Sequence, residues 1–360
     1  MRILAVIAVL IPALASAHSD DYMPTAQGAV DSRAMTAPER NTIYSCDGGS
    51  VVPVKRPWVG DDGRIDFDQK PAVSGNVLWN SVIKVNAGSV SGNGLPTHPT
   101  GEFPVKDESV ARFDRNPNPI REQRLNFSLP RNPQAAAKPS CLGKGPIGIM
   151  LTGATVFNAL DAENHDAVAT ELFDKCEGHP ERNGMYHYHH YSPCFDSAGP
   201  GMPSPLLGYA LDGFGIYGPR GDKGQLLTNA DLDECHGIKS DVPDGKGGTK
   251  NVYHYVFNNE FPYSLGCYRG TPAALPHPGA GMQDDHRPPD LRMPAMKLGV
   301  TVDELRDALG QFPPDLDRAA RALGVSVDDL RNALDVPDMG QATQSLGNHI
   351  DDLRDSLGMR

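Results

Sequence analysis

The chain has 360 residues and a formal net charge of -12, a balance that makes nucleic acids and anionic membranes poor partners. Its 38 glycines and 32 prolines are too many for a mainly helical protein and indicate many turns and short strands. The length suits one large β-rich domain and a smaller piece.

The first residues have the pattern of a secretory signal peptide over 1–17. Arg2 supplies a positive charge, residues 3–14 are apolar, and residues 15–17 (ASA) form an A-x-A cleavage site. No later apolar run is long enough to span a membrane, so we expect a secreted or periplasmic protein. Cleavage would leave His18 as the N-terminus, and its amine and imidazole offer an alternative copper site.

The segment after the signal peptide, residues 18–45, is polar and weakly patterned, and we expect it to be mobile. From 46 to 269, short β-prone runs alternate with turn signals. We predict a strand at 79–86, one or two buried strands at 145–157, and a glycine-rich β segment at 206–219. A helix is predicted over 166–176, with Asp166 capping its start, and a further strand over 251–261.

Six cysteines in a chain with an export signal favour disulfides over metal thiolates. The absence of a C-x-x-C pair argues against a zinc ribbon or a thioredoxin-like site. Six cysteines allow about fifteen connectivities. We favour the order without nesting, which pairs Cys46 with Cys141, Cys176 with Cys194, and Cys235 with Cys267.

The composition changes at 270, where a proline-rich linker is predicted over 270–296. Residues 297–360 then contain an internal repeat: LGVTVDELRDAL at 298–309 recurs as LGVSVDDLRNAL at 323–334, with a decayed third copy at 346–357. Thr301 and Ser326 stand at N-cap positions, and Glu304 completes a capping box. We therefore predict short helical repeats that dock a protein partner or self-associate. Their acidic balance argues against a DNA-binding helix-turn-helix.

The strongest chemical signal is the run YHYHH at 186–190, flanked by Cys176 and Cys194. On a strand, His187 and His189 point to one face and the two tyrosines to the other. A shorter echo, YHY, follows at 253–255. Two imidazoles on one strand face predict a metal site or an acid–base site.

Three hypotheses follow from this pattern. The first is a zinc or copper site, because nitrogen-rich ligand sets suit these metals. Its candidate ligands are His187, His189, His254, His179, Asp212 and His98. The second is a hydrolase-like enzyme, in which His189 or His254 acts as the base and Asp212 orients it. The third is a non-catalytic envelope or extracellular interaction module in which the tyrosines are contact or core residues.

Several segments resemble the YHYH domain family of exported proteins. The resemblance rests on residues 178–180 (GHP), 184–189 (GMYHYH) and Cys194, and extends to 93–98, 145–148, 157–161, 209–218, 231–235, 253–263 and Cys267. Gly215 stands where the family usually has proline. The resemblance covers about 79–270, and it implies that residues 46–269 form a YHYH-type β-rich domain. It implies little chemistry, because the family is largely uncharacterised.

The predicted fold class is therefore mainly β: a disulfide-stapled β-rich domain with short helices, followed by a small C-terminal α-helical repeat module. We place the site where the His187 strand meets the His254 strand.

Overall fold

The structure, a computed structural model, describes residues 25–195, 199, 201–274, 292–309 and 316–333. The chain divides into two compact units, Met1–Gln283 and Asp284–Arg360. The predicted signal peptide, His18, most of the proline-rich linker and the third repeat copy lie outside the described residues.

The first unit is β-rich, and its strands are short because turns interrupt them every few residues. In chain order they are β1 (Thr25–Gln27), β2 (Arg64–Asp66), β3 (Ile83–Asn86), β4 (Ser89–Gly92), β5 (Leu125–Ser128), β6 (Pro146–Met150), β7 (Thr155–Phe157), β8 (Gly178–Pro180), β9 (Tyr186–Tyr188), β10 (Leu206–Ala210), β11 (Gly215–Tyr217), β12 (Gly237–Pro243) and β13 (Thr249–Val256). Two one-turn helices, α1 (Glu108–Ala111) and α2 (Ala167–Thr170), lie between them. The predicted mainly β character of this unit is confirmed.

The central sheet has eight strands in the order β12-β13-β11-β10-β6-β7-β9-β8. β6 and β10 pair antiparallel at its centre, while β7 with β9 and β11 with β13 are parallel pairs. The outermost strands, β8 and β12, end on Pro180 and Pro243. Smaller sheets, β1-β2 and β3-β4-β5, complete the unit.

The described part of the predicted mobile segment, residues 25–45, contacts the rest of the first unit. Met35 and Ile43 are fully buried in the core. The Gln27 N–H donates to Asn259 O at 2.7 Å, and the Ala29 N–H donates to the Asp166 carboxylate at 2.9 Å. The apolar side chains in this weakly patterned stretch therefore anchor it to distant parts of the unit.

The predicted disulfide connectivity is confirmed. Cys46 pairs with Cys141, Cys176 with Cys194, and Cys235 with Cys267. The second of these bridges encloses β8 and β9, and it therefore ties together the two strands that carry the histidine-rich run.

Removing this bridge tests how much it stabilises the unit. Cys176→Ser/Cys194→Ser opens a loop with a sequence separation of 18 residues, and we expect the free energy of unfolding to fall by about 3 kcal/mol because the unfolded chain gains entropy. Urea titration of the oxidised wild type and the variant measures the difference. A loss below about 1 kcal/mol would show that packing alone holds β8 and β9 together.

The described part of the second unit is helical. Its helices are α3 (Arg292–Leu298), α4 (Val302–Leu309), α5 (Leu316–Leu323) and α6 (Val327–Ala333). Thr301 Oγ1 accepts from the Glu304 N–H at 3.2 Å, while Glu304 accepts from the Thr301 N–H at 2.8 Å, the reciprocal pattern of a capping box. No described helix of either unit combines the length and apolarity that a membrane span requires.

Candidate metal centre

Strand pairing brings three histidines together. β9 alternates its side chains, so His187 points away from the face occupied by Tyr186 and Tyr188, and His189 follows on the His187 side. β8 runs antiparallel to β9 and places His179 directly opposite His187. Side chains of such a directly opposed pair lie close enough to touch.

The three Nε2 atoms form a nearly equilateral triangle. His179 Nε2 lies 3.1 Å from His187 Nε2 and 3.3 Å from His189 Nε2, and the last two are 3.1 Å apart. The residues are only 2–3 % exposed. A tetrahedral zinc ion at about 2.0–2.1 Å from each nitrogen requires nitrogens roughly 3.3 Å apart. The triangle therefore has the dimensions of one face of a tetrahedral metal site.

The outer nitrogens of two rings fix which way their lone pairs point. His187 Nδ1 lies 3.1 Å from Met185 O, and His189 Nδ1 lies 2.5 Å from Asn158 O. A carbonyl oxygen only accepts, so each Nδ1 carries the hydrogen and each Nε2 turns a free lone pair toward the centre. Metal-ligating imidazoles are commonly held in this way.

Burial favours the neutral form of His179 and His187. It lowers the pKa of His179 and His187 well below the ordinary histidine value, and the charge of the neighbouring imidazoles adds to the effect. Phe157 stacks on His187 with ring centroids 3.9 Å apart, and Phe173 meets His179 edge-on at 4.8 Å. The apolar walls disfavour protonation, and neutral imidazole is the form that binds metals.

Glu171 supplies a fourth donor that the sequence analysis missed. Its Oε2 lies 3.5 Å from His179 Nε2 and 3.3 Å from His189 Nε2. This oxygen is buried and has no hydrogen-bond partner. The predicted helix over 166–176 is only one turn long, because the backbone is extended at Glu171 after Asp166 caps its start. Oriented carboxylate and imidazole groups together are a common ligand set for zinc.

A buried lysine lies behind the cluster. Lys70 Nζ donates to Val168 O at 2.6 Å and stands 4.0 Å from the centre of the Phe173 ring. Desolvation lowers the Lys70 pKa to about 8, against the opposing pull of Glu177 and other acidic groups. The positive charge of Lys70 contributes to the low pKa of His179.

The tyrosines on the other face of β9 form hydrogen bonds away from the histidine cluster. Tyr186 O–H donates to Asp174 at 2.9 Å, and Tyr188 O–H donates to His98 Nε2 at 2.5 Å. His98 lies close enough to Cys176 and Cys194 for a metal site, but both sulfurs are in a disulfide and offer no thiolate. The structure therefore places His98 on the opposite face of β9 from the cluster.

Residues 126–227 match the family model described as YHYH protein. This segment of the chain is similar to the YHYH family. No curated protein and no solved structure gives a significant match.

The YHYH domain match is shorter than the predicted range of about 79–270, and it contains the whole cluster. Glu171, His179, His187 and His189 fall inside 126–227, whereas His98 and His254 fall outside it. The family model therefore covers the four candidate ligands and gives no chemistry for them.

Besides His98, two further predicted ligands, His254 and Asp212, do not join the histidine cluster. His254 lies on β13, which four other strands separate from β9, so the two strands are roughly 24 Å apart at about 4.8 Å per strand. Asp212 instead accepts from Tyr255 O–H at 2.5 Å and from the Gly270 N–H at 2.9 Å. The predicted meeting of the His187 and His254 strands is therefore wrong, because the sheet places them in opposite halves.

Proposed function

We propose that this protein binds one transition-metal ion, zinc or copper, through His179, His187 and His189, with Glu171 as the fourth ligand. The observation that carries the proposal is the convergence of three buried Nε2 atoms at 3.1–3.3 Å. Two of these nitrogens point lone pairs at the same spot because their Nδ1–H groups are bonded to carbonyls. These two nitrogens lie 3.1 Å apart, so their lone pairs repel one another unless a hydrogen or a cation lies between them.

The surroundings favour a metal that is held rather than one that turns over substrate. Structural sites have a complete set of protein ligands, whereas catalytic sites keep an open position. Four protein donors satisfy a tetrahedral ion, and the histidines are 2–3 % exposed. Only Glu171, whose side chain is 27 % exposed, offers a route for a competing ligand.

Nitrogen-rich ligation selects among metals. Imidazole suits zinc, copper, iron and nickel, while magnesium and calcium take oxygen ligands. A set of three imidazoles and one carboxylate therefore excludes the hard cations. The triangle of Nε2 atoms has the edge lengths of one face of a tetrahedron, a geometry that suits zinc better than the square-planar preference of Cu(II).

Cobalt substitution tests this proposal directly. We expect chelator-treated protein to take up one equivalent of Co²⁺ with the strong visible absorption of a four-coordinate ion, and Zn²⁺ to displace it. Glu171→Gln should keep the stoichiometry but weaken the affinity about 10- to 100-fold, since a carboxylate donor is replaced by a weaker amide. Protein that takes up neither ion at micromolar concentrations would contradict the proposal.

The acid–base alternative has less support. Its predicted partners were His189 or His254 as base and Asp212 as the orienting carboxylate. Asp212 bonds to Tyr255 and to the Gly270 backbone, and burial raises its pKa. A carboxylate satisfied in this way holds the chain together and does not orient either histidine.

Export and the role of the tail stay predictions. We propose that the protein is secreted or periplasmic, which the three disulfides support because such bonds persist in oxidising compartments. We also propose that the C-terminal helices form a repeat module that docks a partner or self-associates. Sedimentation of the full chain beside a chain ending at residue 290 tests self-association.

A further inference from the structure

The central sheet consists of two halves with the same strand order and the same strand directions. In β6–β9, an antiparallel hairpin (β6, β7) is followed by a strand (β9) parallel to β7 and an outer strand (β8) antiparallel to it. In β10–β13 the hairpin is β10 and β11, β13 is parallel to β11, and β12 is antiparallel to β13. The halves meet where β6 pairs with β10.

The registers of the two halves correspond residue by residue. Gly148 pairs with Val156 as Gly208 pairs with Ile216, and a register shift precedes both glycines. Val156 then pairs with Tyr188 as Ile216 pairs with Tyr255. The pairing of β6 with β10, at the centre of the sheet, shows the same correspondence.

At that centre, Met150 pairs with Gly208 and Gly148 pairs with Ala210, on either side of the pair Ile149–Tyr209. Exchanging the halves converts the first of these pairs into the second. The pairing is therefore isologous, as at the two-fold axis of a symmetric dimer.

A braced loop recurs with the same residues. Asp174 accepts from the Cys176 N–H, the Gly178 N–H and Tyr186 O–H. A left-handed residue, Glu177 at φ 58°, lies between the cysteine and the glycine.

In the second half Asp233 accepts from the Cys235 N–H, the Gly237 N–H and Tyr253 O–H. His236, at φ 68°, is the left-handed residue. The two loops share a hydrogen-bonded carboxylate, a half-cystine, a left-handed residue and a glycine. This agreement is too specific to follow from a shared sheet topology alone.

This correspondence identifies the counterpart of each candidate ligand. Ile238 pairs with His254 as His179 pairs with His187. Val256 stands two residues after His254, where His189 stands after His187. Ala230 precedes Asp233 by the interval that separates Glu171 from Asp174.

An aromatic ring also lies beside the retained histidine. The ring centroids of Tyr217 and His254 are 5.0 Å apart in an edge-on contact, and those of the corresponding pair, Phe157 and His187, are 3.9 Å apart in a stacked contact. Ile238 packs against Val256 in a small apolar cluster with Leu227 and Leu232. Aliphatic side chains therefore fill the positions that correspond to His179 and His189.

We propose that residues 206–257 are a second copy of the metal-binding unit 146–190, and that this copy is a vestigial metal site. It keeps one ligand, His254, and has lost the other three to Ile238, Val256 and Ala230. The proposal rests on the proposed function for its metal, and on the sheet symmetry and the recurring loop at Asp174 and Asp233 for its duplication. The native protein then holds one metal ion, and the second half serves as its scaffold.

Rebuilding the lost ligands tests the vestigial site. Ile238→His/Val256→His, with Ala230→Glu as a third change, should take up a second equivalent of Co²⁺ in the full chain. His254→Ala in the same background should return uptake to one equivalent. A matched control, Lys239→His/Asp241→His, adds two histidines to the other face of β12 and should leave one equivalent.

A rebuilt variant that retains the wild-type near-ultraviolet circular dichroism yet binds one equivalent would overturn the vestigial site while leaving the proposed function intact. A wild type that binds no cobalt would instead count against the proposed function.

The reverse exchange tests the duplication without any metal. Glu171→Ala/His179→Ile/His189→Val gives the first half the side chains of the second. We expect its unfolding temperature to equal or exceed that of metal-free wild type, because the second half already packs these aliphatic groups. His179→Ala/His189→Ala is the comparison, and it should unfold at a lower temperature because it leaves voids. An exchanged variant that unfolds below metal-free wild type would overturn the correspondence.

Discussion

Protein purified with His187→Ala/His189→Ala is expected to contain no transition metal, whereas wild type contains close to one equivalent. The double change removes two of the three converging Nε2 atoms and leaves His179 and Glu171, which cannot surround an ion. Structural zinc sites bind with about 10–16 kcal/mol, or about 3 kcal/mol per ligand, so the affinity should fall on the order of 10⁴-fold. Metal analysis by mass spectrometry and competition with a zinc chelator measure both quantities.

His254→Ala is the matched control for this experiment. His254 also lies between two tyrosines on a strand, is 2 % exposed, and faces an aromatic ring. Its loss should leave metal content unchanged. Equal metal content in wild type and His187→Ala/His189→Ala would place the bound ion elsewhere, and loss of metal from His254→Ala would contradict the separation of the two strands.

Removing the metal from wild type is expected to lower its stability substantially. An ion that binds only the folded state stabilises it by about 4 kcal/mol when its free concentration is about 1,000 times Kd. The metal-free protein also keeps the buried lone pairs of His187 and His189 turned toward one another. Thermal unfolding with excess Zn²⁺ and with chelator, at constant pH and with the disulfides oxidised, gives the shift.

The double-histidine variant separates this linkage from a general effect of the chelator. Its unfolding temperature should be the same with Zn²⁺ and with chelator, because no ion binds its folded state. A wild-type unfolding temperature that does not respond to Zn²⁺ would contradict metal-linked stability.

The sequence predicted the ligand strand but not the complete site. Strand periodicity is enough to place His187 and His189 on one face. The contact between His179 and His187 depends on the register of β8 against β9, which a single sequence does not determine. Glu171 was missed because the helical spacing of 166–176 suggested a helix interior, whereas the helix ends at Thr170.

The error over His254 has a physical origin. Two similar Tyr-His-Tyr strands suggested that they meet at one site. They occupy equivalent places in opposite halves of the sheet, so their similarity reflects position within a half and not proximity. Asp212 was considered a ligand because a carboxylate in an apolar strand needs a partner, and that partner is Tyr255.

The broader fold was predicted where local chemistry is decisive. Two strands at 145–157 and the strand at 251–261 follow from apolar runs and alternation. The cysteine pairing matches the order without nesting, one of about fifteen connectivities that the sequence allows. Tertiary packing decided the rest. The segment from Thr25 lacks a periodic pattern and is nevertheless anchored by scattered side chains such as Met35 and Ile43.

The prolines that end the outermost strands bear on how molecules of this protein meet one another. An open strand edge offers N–H and C=O groups that can recruit a strand from a neighbour and start aggregation. β8 is three residues long, and its last residue, Pro180, has no N–H. The Pro180 carbonyl accepts a hydrogen bond from the Asn116 side chain. β12 exposes Lys239 and Asp241 and ends on Pro243. Both edges are thus poor templates for strand addition, which protects a sheet that carries its histidine cluster beside one of them.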